Sequence, residues 1–133
     1  MPGNDDAIHD LLQRFAHAFT TGDGPGAAAC WEVPALVVSD DGSRAVASLD
    51  EVAAFFGGTK AQYNARGVVG TRVDIQRTDW HTDHLASVTV RWPHLDAQGG
   101  EVGRSETSTY VVRLRGDDAR ICAVLMAGVQ DSQ

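Results

Sequence analysis

Residues 48–56 read S-L-D-E-V-A-A-F-F and mark the point where a helical first half of the chain gives way to a sheet. The serine and the glutamate of this run have the spacing of a capping box, in which each side chain satisfies a free backbone amide at the start of a helix. The apolar residues that follow recur at helical spacing, and the same face continues to Tyr63. Gly57 and Gly58 interrupt this pattern without ending it, so we predict one kinked helix.

Two further helices are predicted before this run. Apolar residues within 8–19 recur at spacings of three, four and seven, which indicates one buried helical face. Gly22 is placed to end this first helix. Pro25 suits the first position of a short second helix, which we expect to include Trp31 and to end before Pro34, because the residue preceding a proline is pushed out of the α region.

From Gly67 onward the apolar period changes from 3.6 to 2, which is typical of strands. The predicted strands cover residues 35–38, 44–47, 68–80, 85–95, 101–115 and 120–129. The turns between the last four are short and therefore require antiparallel neighbours. The order of elements predicts an α+β fold over residues 1–133 as a single domain, with three N-terminal helices packed on one face of a curved, mainly antiparallel sheet.

The charge balance excludes several classes of function. Eighteen acidic against eleven basic side chains give a net charge of −7, whereas nucleic acids and anionic membranes require a basic surface. The first ten residues have no signal-peptide pattern, and no apolar run approaches the ~20 residues that span a bilayer. The two cysteines, Cys30 and Cys122, stand far apart among apolar neighbours. We therefore predict a cytoplasmic protein with reduced thiols, no nucleic-acid or membrane partner and no cofactor.

Four local runs agree with the element order in pointing to one family. They are L-L-Q-R-F at 11–15, T-G-D at 21–23, A-L-V-V at 35–38 and S-L-D-E-V-A-A-F-F at 48–56. Over roughly residues 7–129 the chain resembles the nuclear transport factor 2-like superfamily, which includes ketosteroid isomerase and SnoaL-like cyclases. The resemblance implies a cone of helices packed into a bent sheet, with a pocket between the helices and the inner face of the sheet. Because one fold hosts many functions, the site is argued from the residues.

The catalytic residues of ketosteroid isomerase have no match here. The position of its aspartate base falls on Ser39, that of its helix tyrosine on Phe15, and that of its late-strand aspartate at or near Tyr110. We therefore predict that the chain lacks this activity. Asp40 and Asp41 precede a glycine and suit a turn between two strands. The alternative is a register shift of one residue, which would point Asp40 into the pocket.

Two other patterns indicate surface features. Arg72 and Asp74 imitate part of an epoxide-hydrolase site, but alternation turns both outward, so we predict a solvated cross-strand ion pair. His81, Asp83 and His84 have the residue types of a metal site, yet they fall in a turn without further ligands nearby in sequence. We predict no metal site.

Alternation along the strands predicts the wall of the pocket. Glu106 would be a carboxylate in an apolar, aromatic cavity, and we assign it as the acid or base of any catalysis, with Tyr110 as hydrogen-bond donor and Ser39 as the residue that orients the substrate. The remaining predicted wall consists of Phe15, Phe19, Phe55, Tyr63, Val88, Val90, Trp92, Ser108, Val124 and Met126.

Two functions remain open. The first is binding of a small apolar or aromatic molecule, with isomerase-, cyclase- or hydrolase-like chemistry if the protein is an enzyme. The second, implied by the resemblance, is a non-catalytic association module that forms a homodimer through the outer face of the sheet. The side chains predicted on that face are Arg72, Thr89, Arg91, Thr107, Thr109 and Arg113. An open cavity containing Glu106 would favour the first function, and a pocket filled by its own side chains would favour the second.

Overall fold

The computed structural model describes residues 5–103 and 105–130. The helices are α1 (Asp5–Thr21), α2 (Gly24–Ala28), α3 (Leu49–Gly57) and α4 (Thr59–Asn64). The strands are β1 (Trp31–Ser39), β2 (Gly42–Val46), β3 (Asp74–Thr82), β4 (Leu85–Trp92), β5 (Ser105–Arg115) and β6 (Asp118–Gln130). In the described part of the chain, no helix has both the length and the apolar character needed to span a bilayer.

The strands form one mixed sheet in the order β2-β1-β6-β5-β4-β3. All neighbours are antiparallel except β1 and β6, which run parallel, with Val37 opposite Val124. This parallel pair joins the first hairpin to the last strand of the β3–β6 meander. The helices pack against the sheet, so the predicted α+β architecture is confirmed.

The predicted third helix is two helices. Ser48 caps α3 as predicted, because its side chain accepts a hydrogen bond from the Glu51 amide at 3.3 Å. Gly58, however, ends α3 and precedes α4 without any side-chain cap. Two consecutive glycines weaken a helix enough for it to end and begin again after one residue.

The second helix is shorter than predicted, and Trp31 belongs to a strand. Helix α2 ends at Ala28, and β1 begins at Trp31 and passes through Pro34. The register of β1 against β6 shifts between Trp31 and Leu36, and Pro34 is exposed within this irregular stretch. A proline is tolerated in a strand at a bulge, since no ladder hydrogen bond is then lost. The prediction erred by treating proline only as a stop for a helix.

Strands β3 and β4 are shorter than their alternation predicted. Strand β3 begins at Asp74, and residues 65–73 form a connection whose amides at Val69 and Gly70 both donate to the carbonyl of Leu95. Strand β4 ends at Trp92 because Pro93 follows, and proline has no amide hydrogen to continue a ladder. The connection thereby packs beside the end of β4, where the site described below is found.

The core lies between α1 and the inner face of the sheet. One face of α1 is buried along its length, as its 3.6-residue period predicted. Opposite it, the inward residues of the meander are fully buried, among them Val88, Val90, Val112 and Ile121. Phe15 occupies the centre of this interface, where its ring contacts five other aromatic rings. The interior is therefore filled by the protein's own side chains.

Candidate functional site

A narrow cleft opens beside this filled core. It lies between α1, α4, the 65–73 connection and the ends of β4 and β5. Its lining consists of Phe19, Thr20, Tyr63, Val68, Val69, Gly70, Thr71, Trp92, His94 and Glu106. The cavity measures about 10 Å³, which is room for about one water molecule.

Glu106 is the acidic residue of the cleft. It lies on β5 directly opposite Trp92 of β4, so the sheet register sets its position. The Tyr63 hydroxyl, from α4, donates a hydrogen bond to Oε2 of Glu106 at 3.2 Å. The same carboxylate oxygen lies 3.6 Å from Nε2 of His94. Glu106, which belongs to the sheet, thus contacts Tyr63 and His94, which lie outside the strands.

His94 is buried and incompletely bonded. Only 7% of the residue is exposed, and its Nε2 has no hydrogen-bond partner among the described residues. Its ring packs against Tyr63, with 5.5 Å between the ring centroids. A buried polar atom without a partner carries a desolvation penalty, and such atoms are uncommon in native proteins. This atom, next to a carboxylate, is the most informative feature of the cleft.

His94 was not among the predicted site residues, although the chain contained a signal for it. Inward residues of β4 follow the period of two through Val88, Val90 and Trp92, and the next position in that series is His94. Pro93 ends the strand but leaves this side chain pointing inward, where it remains buried.

Tyr63 is held in its neutral, donating form. Burial raises the pKa of its hydroxyl well above the ordinary value, and the negative charge of Glu106 raises it further. A tyrosine that ionises only at strongly basic pH donates its proton to the carboxylate at any physiological pH. Tyr63 therefore orients Glu106.

Tyr110 lies behind the cleft rather than in its lining. It is buried, and its hydroxyl accepts a hydrogen bond from the indole nitrogen of Trp92 at 2.9 Å. Burial raises the pKa of this phenol above its ordinary value as well. Through this bond Tyr110 fixes the indole ring that forms one wall of the cleft.

The structure brings four of the predicted site residues to the cleft, namely Phe19, Tyr63, Trp92 and Glu106. The others lie elsewhere. Packed in the core or against it are Phe15, Val88, Val90, Ser108, Tyr110 and Val124. Phe55 and Met126 are 59% and 43% exposed.

Phe56 takes the inward place that the analysis gave to Phe55. Its ring lies 5.0 Å from that of Phe15 and 6.2 Å from that of Trp31, measured between centroids. Both phenylalanines fit the helical pattern that starts at Val52, three and four residues on, so the sequence did not distinguish them. The orientation of α3 against α1 decides between them.

Ser39 lies at the tip of the first hairpin. It pairs with Gly42 across the turn formed by residues 40 and 41, and its hydroxyl accepts the amide of Asp41 at 3.3 Å. Asp40 and Asp41 are both exposed, so the turn interpretation is confirmed. The structure does not bring Ser39 to the cleft, and we leave it out of the proposed site.

The arginine–aspartate pattern of Arg72 and Asp74 lies outside the lining of the cleft. Arg72 and Asp74 face outward but bond to other residues: Arg72 to Glu101 at 2.8 Å, and Asp74 to Arg91 at 3.4 Å. Arg91 contacts Glu101 too, which links all four side chains. No cluster of three or more potential metal ligands occurs within residues 5–103 and 105–130.

Comparison with known proteins agrees with the observed fold. The family model described as NTF2-like protein (DUF6841) matches residues 5–129. The chain belongs to this family. No curated protein matches the sequence.

Solved structures of three bacterial proteins illustrate the shared fold. A domain of unknown function with a cystatin-like fold from Nostoc punctiforme is 23% identical, with a TM-score of 0.69 over 96% of this chain and 78% of the other. An NTF-2 like protein of unknown function from Shewanella oneidensis is 18% identical, with a TM-score of 0.68 over 92% and 98%. A ketosteroid isomerase-like protein from Erwinia carotovora is 14% identical, with a TM-score of 0.62 over 94% and 95%. At these identities the likeness is one of fold.

Proposed function

We propose that this nuclear transport factor 2-like protein binds a small molecule in the cleft and that Glu106 exchanges a proton with it. The observation that carries this proposal is the buried, unpartnered Nε2 of His94, which lies 3.6 Å from the Glu106 carboxylate. A polar atom of a bound molecule placed beside both groups would satisfy the imidazole and remove its desolvation cost.

The three polar side chains of the cleft suit acid–base chemistry. A carboxylate and an imidazole are the commonest proton-transfer groups in enzymes. Tyr63 holds the carboxylate through its 3.2 Å hydrogen bond, which fixes the geometry that proton transfer requires. The arrangement supports isomerase-, cyclase- or hydrolase-like reactions, in which a positioned base or acid acts on a bound substrate. The nearby Phe19 and Trp92 would contact the apolar part of such a molecule.

A molecule larger than water enters if the outer wall of the cleft moves. That wall comes from α4 and the 65–73 connection, which supply Tyr63, Val68 and Val69. Neither segment belongs to the sheet, apart from the bridge between Gly70 and Leu95. Helix α4 is six residues long and has no side-chain cap, so its displacement would mainly cost the contacts of Tyr63, which are the hydrogen bond to Glu106 and the ring contacts with Phe19 and His94. The opposite wall, on β4 and β5, would keep its position.

The proposal predicts that the Glu106→Gln variant binds fragments of the cleft at least about tenfold more weakly than the wild type, because the amide removes the charge and half of the acceptors. A library of small fragments is titrated into ¹⁵N-labelled protein, and amide and indole shifts are followed by NMR. We expect shifts clustered at Trp92, His94 and residues 68–71.

The matched control is Glu51→Gln, which makes the same chemical change at an exposed helix N-terminus, where glutamine also satisfies a capping box. This variant should bind like the wild type. Fragments that shift signals only on other surfaces, or that bind both variants equally, would overturn the proposal.

A second function has one specific observation in its favour. Leu36 and Leu125 lie on the outer face of the adjacent strands β1 and β6, and they are 43% and 48% exposed. They are diagonal neighbours, since Leu36 lies opposite Ala123 and Leu125 opposite Val38. Exposed leucines on one sheet face form the kind of apolar patch that subunit interfaces cover. Thr89 and Thr109 continue this face and join their hydroxyls across β4 and β5 at 2.9 Å. We propose, as the alternative, homodimerisation through this face.

If this alternative holds, Leu125→Asp converts a dimer into a monomer, because it places a charge in the centre of a desolvated patch. Analytical ultracentrifugation at micromolar concentration measures the change. Phe55→Asp is the control, since Phe55 is also exposed, at 59%, but lies on α3, away from the sheet face. A wild-type protein that sediments as a monomer throughout would eliminate the association function.

A further inference from the structure

We propose that the cleft accepts the primary ammonium group of a small amine, with the nitrogen beside Glu106 and His94. This inference rests on the small-molecule function proposed above and specifies the class of ligand. Three features of the lining lead to it: the hydrogen-bond donors, the charge and the size.

The side-chain donors of the cleft, apart from the imidazole, are already engaged within the protein. The pairs are the Tyr63 hydroxyl to Glu106 at 3.2 Å, the Thr71 hydroxyl to the Pro93 carbonyl at 2.6 Å, the Thr20 hydroxyl to the Ala16 carbonyl at 2.8 Å and the Trp92 indole to Tyr110 at 2.9 Å. The backbone amides of Val69 and Gly70 are engaged too, since both donate to the Leu95 carbonyl.

What remains in the cleft are acceptors. They are the two carboxylate oxygens of Glu106 and the lone pairs of the Tyr63, Thr20 and Thr71 hydroxyls. Nε2 of His94 is an acceptor or a donor according to the tautomer of the ring. A ligand that brought only acceptors, such as a carbonyl or a carboxylate, would meet few donors. A protonated primary amine brings three N–H donors and no acceptor, so it matches this lining.

The negative charge of Glu106 and the aromatic rings of the lining also favour a cation. Among the described residues, no lysine or arginine nitrogen lies within 4.0 Å of the Glu106 carboxylate, so within this part of the chain the carboxylate would attract a positive ligand without competition from a lysine or arginine. The rings of Phe19, Tyr63 and Trp92 line the same cleft. The plane of the Phe19 ring is inclined by 50° to that of Tyr63 and by 89° to that of Trp92, and 5.4 Å separates the Phe19 and Trp92 centroids. Aromatic rings attract cations placed over their faces. The Tyr63 ring already does so, since the exposed Arg66 guanidinium lies 5.3 Å from its centroid.

The size of the cavity limits the buried part of the ligand. About 10 Å³ accommodates one water-sized group, which an ammonium head matches. The remainder of the molecule must leave the cleft past the exposed edge, where Val69 is 52% exposed and the Glu106 side chain 32%. A short alkyl or aryl tail would lie against Val69.

The test compares two probes of equal heavy-atom count on the intact protein. n-Butylammonium and n-butanol differ mainly in charge and in the number of donors, and both are titrated by NMR at constant ionic strength and at pH ~8, where an alkylammonium keeps its charge. We expect n-butylammonium to shift the Trp92 indole and residues 68–71 saturably, with a Kd at least about tenfold below that of n-butanol. Glu106→Gln should remove this preference, and Glu51→Gln should retain it.

The outcomes separate this inference from the function on which it rests. If n-butanol or other neutral fragments bind the cleft as tightly as n-butylammonium, the amine is excluded and the small-molecule site stands. If no probe or fragment shifts cleft signals, both proposals fail. An unchanged preference in a folded Glu106→Gln protein also overturns the amine. If that variant fails to fold, the comparison of the two probes on the wild type still decides.

Discussion

Replacing Phe15 by alanine is expected to lower the free energy of unfolding by about 3–5 kcal/mol. The side chain is 1% exposed and contacts the rings of Phe19, Trp31, Phe56, Trp92 and Tyr110. Its removal would leave a cavity that these rings, anchored on different elements, cannot collapse to fill. Urea unfolding followed by tryptophan fluorescence measures the change.

Phe55→Ala is the matched control, because the residue has the same side chain but is 59% exposed. We expect a loss of about 1 kcal/mol or less, since little packing is removed. Equal losses in the two variants would contradict the assignment of Phe56, rather than Phe55, to the core. The pair therefore tests the orientation of α3 as well as the packing of Phe15.

Gly24→Ala is expected to destabilise the protein by about 3 kcal/mol, at the upper end of the usual cost of overpacking. Gly24 begins α2 and is buried. A Cβ atom added there would lie 2.2 Å from the backbone carbonyl oxygen of Ala53 on α3. Since the contacting atoms of Ala53 belong to the backbone and an alanine Cβ has no rotamers, a side-chain rotation cannot relieve the overlap, and the two helices must separate. The thermal midpoint should fall accordingly.

The contrasting substitution is Gly57→Ala. Gly57 lies within the last turn of α3, and an added Cβ would meet no atom within 4 Å. Alanine loses less backbone entropy than glycine in a helix, so this variant should be more stable than the wild type by about 0.5–1 kcal/mol. A Gly24→Ala protein as stable as Gly57→Ala would show that α2 and α3 do not approach as closely as described.

The architecture was predictable where local geometry alone sets a pattern. The face of α1 that includes Leu11 and Phe15 is buried as its spacing indicated, because the pitch of a helix places such residues on one side. The inward series of β4 and β5 is buried as alternation indicated. Glu106 was assigned to the site by the same reasoning and does line the cleft.

The errors occurred where a residue's conformation depends on distant partners. Trp31 was assigned to a helix, but the Ile121 amide donates to the adjacent Cys30 carbonyl at 2.8 Å and Trp31 pairs with Ile121 in the sheet. Residues 68–73 alternate as a strand would, yet Val69 and Gly70 bond to Leu95 in a loop. Neither partner can be inferred from the neighbouring sequence.

The sequence by itself determined the class of fold, the order of most elements and the inward faces of α1 and the meander, because helical and strand periods follow from backbone geometry within a few residues. Only the tertiary structure decided that the interior is filled and that a water-sized cleft remains. It also placed Tyr63 against Glu106, 43 residues away along the chain, and left His94 buried beside them. Such contacts depend on how helices and loops settle on the sheet, which is determined by the packing of many side chains at once.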